Sequence, residues 1–207
     1  MWIKNGGAPF PEPTMPRTEA AQQSHAALVQ VISNARLRTR FQMRRAYLYA
    51  VRRAEHRISI MNAYFIPERR LRREFVRAVQ RGVNVRLIVP GSTDITAVYY
   101  ATRFLYARLL RRGVRIFEWQ ERMMHAKTAV IDGVWSTIGS YNLDRRSLLH
   151  NLEVGVIVID RGVGKTLDTQ FEFDIQRCRE VVLATWERRS VWHKFLEWFF
   201  FRFRYWL

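Results

Sequence analysis

The segment HAKTAVID at residues 125–132, followed by GSYN at residues 139–142, carries most of the structural and chemical information in this sequence. Residues 125–131 predict a β-strand, and a second strand is expected to lead into GSYN. Side chains two positions apart on a strand leave the same face of the sheet, so His125 and Lys127 are expected to lie side by side. The sequence therefore predicts an imidazole and an ammonium group together at one place on a sheet.

This pair suits a phosphodiester site. The imidazole of His125 can attack phosphorus or carry a proton, and Lys127 can neutralise the non-bridging oxygens as charge builds in the transition state. Ser140 and Asn142, at the end of the neighbouring strand, offer further donors to the same phosphate. This chemistry requires no cofactor and no metal, and the sequence offers no second cluster of histidines and carboxylates at metal-ligand spacing.

Two features distinguish this pair from a histidine and a lysine that meet by accident on a surface strand. Lys127 is one of only 4 lysines in a chain with 31 arginines, so lysine departs here from the usual choice of basic residue. The fixed positions also form one long pattern, HxKxxxxD, then six residues, then GSxN. Chance matches to so many fixed positions are rare.

Strands and helices alternate on both sides of this segment, and the alternation predicts an α/β domain with a mixed sheet flanked by helices. The predicted helices are Arg44–His56, Arg69–Arg81, Ile95–Arg112 and Gly164–Arg189. The predicted strands are Arg57–Phe65, Val83–Val89, Val114–Trp119, His125–Ile131, Ser136–Ser140 and Leu152–Ile159.

Composition shifts divide the chain into three parts. Residues 1–35 begin with a stretch rich in glycine and proline and are expected to form an irregular leader or linker. Residues 36–189 contain the alternating elements and are expected to form the domain. Residues 190–207 form an aromatic and basic tail.

The composition excludes several classes of protein. The 207 residues carry a formal charge of +17, but 48% are hydrophobic, which argues against a disordered chain. A single cysteine, Cys178, excludes a disulfide scaffold, and no run reaches the ~18 apolar residues that span a bilayer. The excess of arginine indicates a phosphate-rich partner, either nucleic acid or an anionic membrane, unless it only reflects a GC-rich genome.

The tail bears on this choice of partner. Its apolar residues recur at helical spacing, with basic residues mostly beside them, which suits a helix lying in the headgroup region of an anionic bilayer. The alternative is a helix docked on another part of the protein. The predicted apolar stripe comprises Trp192, Leu196, Phe199, Phe200, Phe203 and Leu207.

The HxKxxxxD and GSxN pattern resembles the signature of the phospholipase D superfamily. The longer run GSYNLDRRSLLHNLEVGV at residues 139–156 is similar, within that superfamily, to the bacterial cardiolipin synthases. Further segments, among them NAYFIP, RGVNVRLIVPG and LLRRGVRIFEW, extend the likeness over roughly residues 40–207.

The resemblance implies a phospholipase D-like lobe and a shared site to which two lobes contribute one motif each. One motif's histidine forms a transient phosphohistidine, and the other protonates the leaving alcohol. His125 and Lys127 match the catalytic pair, and Asp132 completes the catalytic motif as its structural support. Ser140 and Asn142 match the residues that hold the phosphate.

Glu153 resembles the acidic residue that follows the motif in the family. By this resemblance, the Glu153 carboxylate is expected to face the substrate site and orient a histidine. The alternative is an ordinary surface carboxylate at the start of a strand.

The chain departs from the family in carrying a single motif, because none of its other four histidines is followed by a lysine two residues later. It therefore resembles the C-terminal half of a cardiolipin synthase. Alternatively, two copies pair as a homodimer and supply both motifs. Either way, the isolated monomer is expected to have no turnover.

The resemblance implies phosphatidyl transfer between phospholipids, with phosphatidylglycerol as a substrate. It also implies a bacterial enzyme that is peripheral to the cytoplasmic membrane. Nucleic acid is then not the expected partner. One rival is a single-motif nuclease that acts as a homodimer, and another is a catalytically silent lobe that serves only as a membrane or partner module.

Overall fold

One mixed eight-stranded sheet organises residues 27–35, 39–121 and 123–206, which are the residues that the computed structural model describes. Its strand order is β1-β7-β6-β5-β2-β3-β4-β8. The strands are β1 (Leu28–Ser33), β2 (Arg57–Asn62), β3 (Asn84–Pro90), β4 (Arg115–Trp119), β5 (Lys127–Ile131), β6 (Trp135–Gly139), β7 (Val154–Ile159) and β8 (Cys178–Glu180). The helices are α1 (Gln42–Arg53), α2 (Arg69–Gln80), α3 (Thr96–Phe104), α4 (Tyr106–Leu110), α5 (Arg145–Leu149), α6 (Arg161–Ile175), α7 (Leu183–Glu187) and α8 (Val191–Arg202).

The sheet has a parallel centre and antiparallel flanks. Strands β2, β3 and β4 run parallel, and helical crossovers join them, as parallel neighbours require. Strands β5, β6, β7 and β1 continue the sheet as antiparallel neighbours on one side, and β8 closes the other edge against β4. The α/β architecture with a mixed sheet and flanking helices is therefore confirmed.

Helices cover both faces of the sheet. Successive residues of β2 separate the two cores, because Ile60 enters the larger cluster beneath α1 and α2, whereas Met61 enters the smaller one. Phe75 of α2 is fully buried in the larger cluster. Phe171 of α6 packs in the smaller cluster on the opposite face. The end of β2, the start of β5 and the end of β6 are neighbours at one end of the sheet, where the candidate site lies.

Two predicted helices are wrong in extent. Residues 95–112 form α3 and α4, which meet at Leu105 and do not make one continuous helix. Residues 164–189 do not make a single long helix either, because α6 ends at Ile175 and the chain then forms β8 and α7. The short strand β8 pairs with the edge of β4, and a salt bridge of 2.8 Å between Arg115 and Glu180 joins the two strands.

The prediction that residues 1–35 are irregular is wrong for Leu28–Ser33, which form β1 and pair antiparallel with β7. The edge of β7 supplies the main-chain hydrogen-bond partners of β1, and the local composition of residues 28–33 does not reveal this pairing. Residues 1–26 lie outside the described residues.

The tail forms α8, which packs against α3. The rings of Tyr100 and Phe200 stack at 5.6 Å, and those of Phe104 and Phe201 stack at 4.4 Å. The predicted stripe is therefore only partly the packed face, because other members of it, including Phe199, are exposed. Leu207 lies outside the described residues. Among the helices of the described part, none combines the length and apolar character needed to cross a bilayer.

Candidate functional site

His125 and Lys127 lie at the start of β5. Strand β5 begins at Lys127, so the expectation that the strand starts at His125 is corrected by two residues. The His125 side chain is exposed and contacts the ring of Tyr64 edge-on at 6.3 Å. Lys127 is only 7% exposed, and its Nζ donates a hydrogen bond to the main-chain oxygen of His125 at 2.9 Å. An ammonium group therefore lies beneath the segment that presents the imidazole.

The surroundings of Lys127 pull its pKa in two directions. Burial lowers the pKa, and the negative charges of Glu153 and Asp144 oppose that shift, with a net lowering from the ordinary value. Only one hydrogen-bond acceptor for Nζ is present among the described residues. An ammonium group has three donors, so Lys127 retains the capacity to bind phosphate oxygens.

Asn142 lies on the loop that follows β6. Its side chain is buried, with 5% of its surface exposed, and its Oδ1 has no hydrogen-bond partner within the described part of the chain. Buried polar atoms usually have a partner, so this oxygen can still accept a hydrogen bond from a donor group of a ligand.

Asn62 fixes this loop, and the sequence did not single it out. The residue ends β2 opposite Lys127 and is fully buried. Its Nδ2 donates to the main-chain oxygen of Tyr141 at 3.4 Å, and its Oδ1 accepts from the main-chain nitrogen of Leu143 at 3.1 Å. These two bonds hold the backbone on both sides of Asn142.

Ser140 is engaged with the neighbouring strand. Its Oγ donates to Oε2 of Glu153 in a short hydrogen bond and accepts from the main-chain nitrogen of Val154 at 3.0 Å. Gly139 permits this approach, because a Cβ there would collide with the main-chain oxygen of Val154. Ser140 remains exposed and can still face a ligand.

Glu153 is buried, with 8% of its surface exposed, so the alternative of an ordinary surface carboxylate is wrong. Its side-chain partners within residues 27–35, 39–121 and 123–206 are Ser140 and Asn151, and no histidine is among them. The negative charge acts on Lys127 from this position.

Asn34, directly after β1, holds Glu153 in place. Its Oδ1 accepts from the main-chain nitrogen of Glu153 at 2.7 Å, and its Nδ2 donates to the main-chain oxygens of Ser147 and Asn151 at 3.1 and 2.8 Å. The sequence did not single out Asn34, because residues 1–35 were expected to be irregular and its role depends on the pairing of β1 with β7.

Asp132 lies at the other end of β5, ~16 Å from Lys127 at the rise of a strand. Its carboxylate accepts hydrogen bonds from the main-chain nitrogens of Glu55, His56 and Arg57 at 2.9, 2.9 and 2.7 Å. Its φ of 53° places it in the left-handed region at the turn between β5 and β6. This geometry suits the structural role expected for the last residue of the motif.

In the parts of the chain that the structure describes, no group of three or more histidine, cysteine, aspartate or glutamate side chains could hold a metal ion. The groups that converge near the start of β5 are instead an imidazole, an ammonium, an amide and a hydroxyl. Together they can bind the oxygens of a phosphodiester and offer a nucleophile to its phosphorus.

Comparisons with known proteins identify relatives of this chain. Cardiolipin synthase A of Serratia proteamaculans (strain 568) is 32% identical over 201 residues, which cover 97% of this chain and 41% of that protein. This chain therefore spans about two fifths of that relative's length.

Two solved structures share the fold. The phospholipase D family member Nuc from Salmonella typhimurium superposes with a TM-score of 0.63 at 20% identity, covering 75% of this chain and 99% of Nuc. Phosphatidylserine synthase from Haemophilus influenzae Rd KW20 gives a TM-score of 0.67 at 14% identity, covering 87% of this chain and 46% of that one.

The family described as "Cardiolipin synthase, PLD-like domain" matches residues 47–175, which include the whole HxKxxxxD and GSxN pattern. That match extends over more than half of the chain. The protein therefore belongs to the cardiolipin synthase family of phospholipase D-like domains.

Proposed function

We propose that this chain supplies one motif of a phosphatidyltransferase that joins phospholipids through a phosphohistidine. A nitrogen of the His125 imidazole attacks the phosphorus of a donor such as phosphatidylglycerol. The bond from phosphorus to the oxygen of the headgroup glycerol breaks, and the released glycerol takes a proton from a second histidine. The hydroxyl of an acceptor phospholipid then attacks phosphorus, the phosphorus–nitrogen bond breaks, and the second histidine recovers the proton.

The observation that carries this proposal is the combination of an exposed imidazole with a buried ammonium directly beneath it. His125 can reach a substrate, whereas Lys127 offers its charge from a largely dry position. Charge–phosphate interactions strengthen when water is excluded. The amide of Asn142 has two N–H donors that can bind phosphate oxygens, and the Ser140 hydroxyl is exposed two residues before it.

The second histidine belongs to another lobe, either from a larger protein or from a second copy of this chain. Two observations support this part of the proposal. The chain carries one HxKxxxxD motif and spans 41% of a curated relative's length. The exposure of His125 is also what a half-site requires before its partner arrives.

We further propose that the protein works at the surface of an anionic membrane, peripheral to the cytoplasmic membrane. The net charge of +17 attracts anionic lipid. Helix α8 and the residues after it expose a set of large aromatic side chains that suit the headgroup region. This set comprises Trp192, Phe195, Trp198, Phe199, Phe203, Tyr205 and Trp206.

The direct test incubates the full chain with phosphatidylglycerol vesicles and measures cardiolipin by mass spectrometry across size-exclusion fractions. Product is expected in fractions that hold at least two motifs and is expected to vanish in His125→Ala. His56→Ala is the matched control, because His56 is also exposed but lies at the Asp132 end of β5.

Three results would contradict the proposal. Full activity in a strictly monomeric peak would exclude the need for a second motif. Product from His125→Ala would exclude the assigned nucleophile. Cleavage of plasmid DNA that depends on His125, without any lipid product, would favour the nuclease.

A further inference from the structure

A cavity of about 380 Å³ opens between the start of α2, the start of α5 and the end of α8. Its lining includes the largely apolar side chains of Tyr47, Tyr141 and Leu148. Its walls carry six arginines against two carboxylates. The arginines are Arg44, Arg69, Arg70, Arg72, Arg145 and Arg204. The volume lies within the range of about 300–1,000 Å³ typical of ligand pockets.

A second cavity of about 250 Å³ shares Arg69 and Arg72 with the first. It continues between α2 and α4, where Arg73, Arg108 and Arg112 line it. The two cavities together form one basic depression along α2, which we call the arginine groove. None of His125, Lys127, Ser140 and Asn142 lines either cavity. Tyr141, between Ser140 and Asn142, does line the first cavity, so the groove adjoins the motif without including its reacting groups.

Apart from Arg44 and Arg77, the arginines of the groove lack counter-ions among the described residues, and Arg77, which also lines the second cavity, pairs with Glu74 at 2.9 Å. The two carboxylates of the first cavity are already engaged, because Glu68 pairs with Arg44 at 3.2 Å and Asp144 accepts the main-chain N–H of Ser147. Within the described residues, no carboxylate lies within 4.0 Å of a side-chain nitrogen of Arg69, Arg70, Arg72, Arg108, Arg145 or Arg204.

Arg72 is the centre of this uncompensated charge. Burial, followed by repulsion from Arg108, Arg204 and Arg69, lowers the pKa of Arg72 to about 10. Its Nε is buried without a hydrogen-bond partner among the residues described. Such a cluster is unfavourable when empty and becomes favourable when an anion with several acceptor oxygens binds, because guanidinium groups bind phosphate bidentately.

We propose that the arginine groove, which neither His125 nor Lys127 lines, binds the phosphate group of an anionic phospholipid and docks the protein on the membrane. The aromatic residues beside it favour a lipid as the source of the phosphate. Arg204 and Tyr205 line the first cavity, and Phe203 and Trp206 next to them are 47% and 83% exposed. Arginine binds anionic headgroups, and aromatic rings favour the membrane–water interface, so the two together suit a bilayer surface. This inference rests on the proposed membrane function.

The first experiment compares two double variants of the full chain in vesicle sedimentation. Arg69→Gln/Arg72→Gln removes two charges from the groove, and Arg161→Gln/Arg188→Gln removes two exposed charges that line neither cavity. With phosphatidylcholine vesicles that contain about one third phosphatidylglycerol, the groove variant is expected to bind about tenfold more weakly or worse. The control variant is expected to lose less than about threefold. Equal losses would overturn the inference, because binding would then follow net charge alone.

The second experiment measures melting temperature with soluble ligands. Without ligand, Arg72→Gln is expected to melt above the parent, because it relieves repulsion within the groove. Dihexanoyl phosphatidylglycerol below its micelle concentration is expected to raise the Tm of the parent and of the control variant but not of the groove variant. Dihexanoyl phosphatidylcholine is expected to shift none of them.

Two outcomes of this series would identify another ligand and overturn the inference. An equal Tm shift with inorganic phosphate at the same concentration would indicate a site for free anions. Duplex DNA that binds through Arg69 and Arg72 more tightly than vesicles would indicate nucleic acid. Arg72→Lys guards against a folding defect, because it keeps the charge and should bind vesicles with intermediate affinity.

The His125→Ala variant separates this inference from the proposed function. It is expected to bind vesicles as tightly as the parent. If no lipid transfer is found but binding depends on Arg69 and Arg72, only the proposed function fails. If the groove variant binds like the parent, the inference fails whatever the transfer assay shows.

Discussion

Replacing Asp132 should destabilise the protein by an amount that its three hydrogen bonds and its backbone conformation define. The carboxylate accepts three main-chain N–H groups, two of them exposed and one partly buried. At about 1 kcal/mol for each bond, their loss costs about 3 kcal/mol. The φ of 53° adds about 1 kcal/mol for alanine, because aspartate and asparagine tolerate the left-handed region better.

Three substitutions at Asp132 separate these contributions. Asp132→Ala should lower the free energy of unfolding by about 4 kcal/mol. Asp132→Gly should lower it by about 3 kcal/mol, because glycine tolerates the positive φ. Asp132→Asn should cost only about 1 kcal/mol, because its Oδ1 can still accept the N–H groups of His56 and Arg57.

The assay is urea unfolding at neutral pH, followed by far-UV circular dichroism and analysed at constant m-value. Asp132→Asn should also keep its lipid-transfer activity within about tenfold of the parent, because the residue lies far from the reacting groups. Destabilisation by Asn as large as by Ala would refute the hydrogen-bond account. A complete loss of activity in a stable Asp132→Asn variant would show that the residue acts in the chemistry.

Further predictions concern groups buried elsewhere in the fold. Burial raises the pKa of Asp144 to about 6, well above its unfolded value of about 3.9, so its contribution to stability falls by about 3 kcal/mol as the pH rises from about 4 through 6. Asp144→Asn, which keeps an N-cap acceptor, should remove that part of the pH dependence, measured as the difference from the parent in urea unfolding. Arg103→Ala should cost about 3 kcal/mol in the same assay, because it breaks the 2.9 Å salt bridge to the fully buried Glu118. Asn62→Ala should cost about 2 kcal/mol and reduce lipid transfer, because the buried N–H of Leu143 loses its acceptor.

Each of these predictions has a contrary result. An unchanged pH dependence in Asp144→Asn would show that other groups control stability in this range. A cost below about 1 kcal/mol for Arg103→Ala would indicate that Arg179, which also contacts Glu118 at 2.7 Å, compensates fully. Normal transfer by a destabilised Asn62→Ala would show that the loop does not depend on Asn62.

Local patterning predicted the elements that surround the motif. Short apolar runs marked β2, β3 and β4, because these central strands are buried on both faces of the sheet. The turn at Asp132 and Gly133 marked the pairing of β5 with β6. The pattern failed at β1 and β8. Both strands lie at edges of the sheet, where pairing with β7 and β4 outweighs the weak local preference.

The motif indicated the candidate site residues, but not the residues that position them. His125, Lys127, Ser140 and Asn142 belong to a pattern readable along the chain. Asn62 acts on a main-chain group 81 positions away and Asn34 on one 119 positions away. A single sequence holds no local sign of such contacts, because they depend on the order of strands in the finished sheet.

Mass spectrometry of the protein quenched during turnover with phosphatidylglycerol can detect the proposed phosphohistidine itself. In the assembly that produces cardiolipin, we expect a phosphatidyl group on the peptide that contains His125. The adduct should be present in the parent and in His56→Ala and absent in His125→Ala. Steady cardiolipin production with the adduct on another residue, or with full activity after His125 is replaced, would contradict the account.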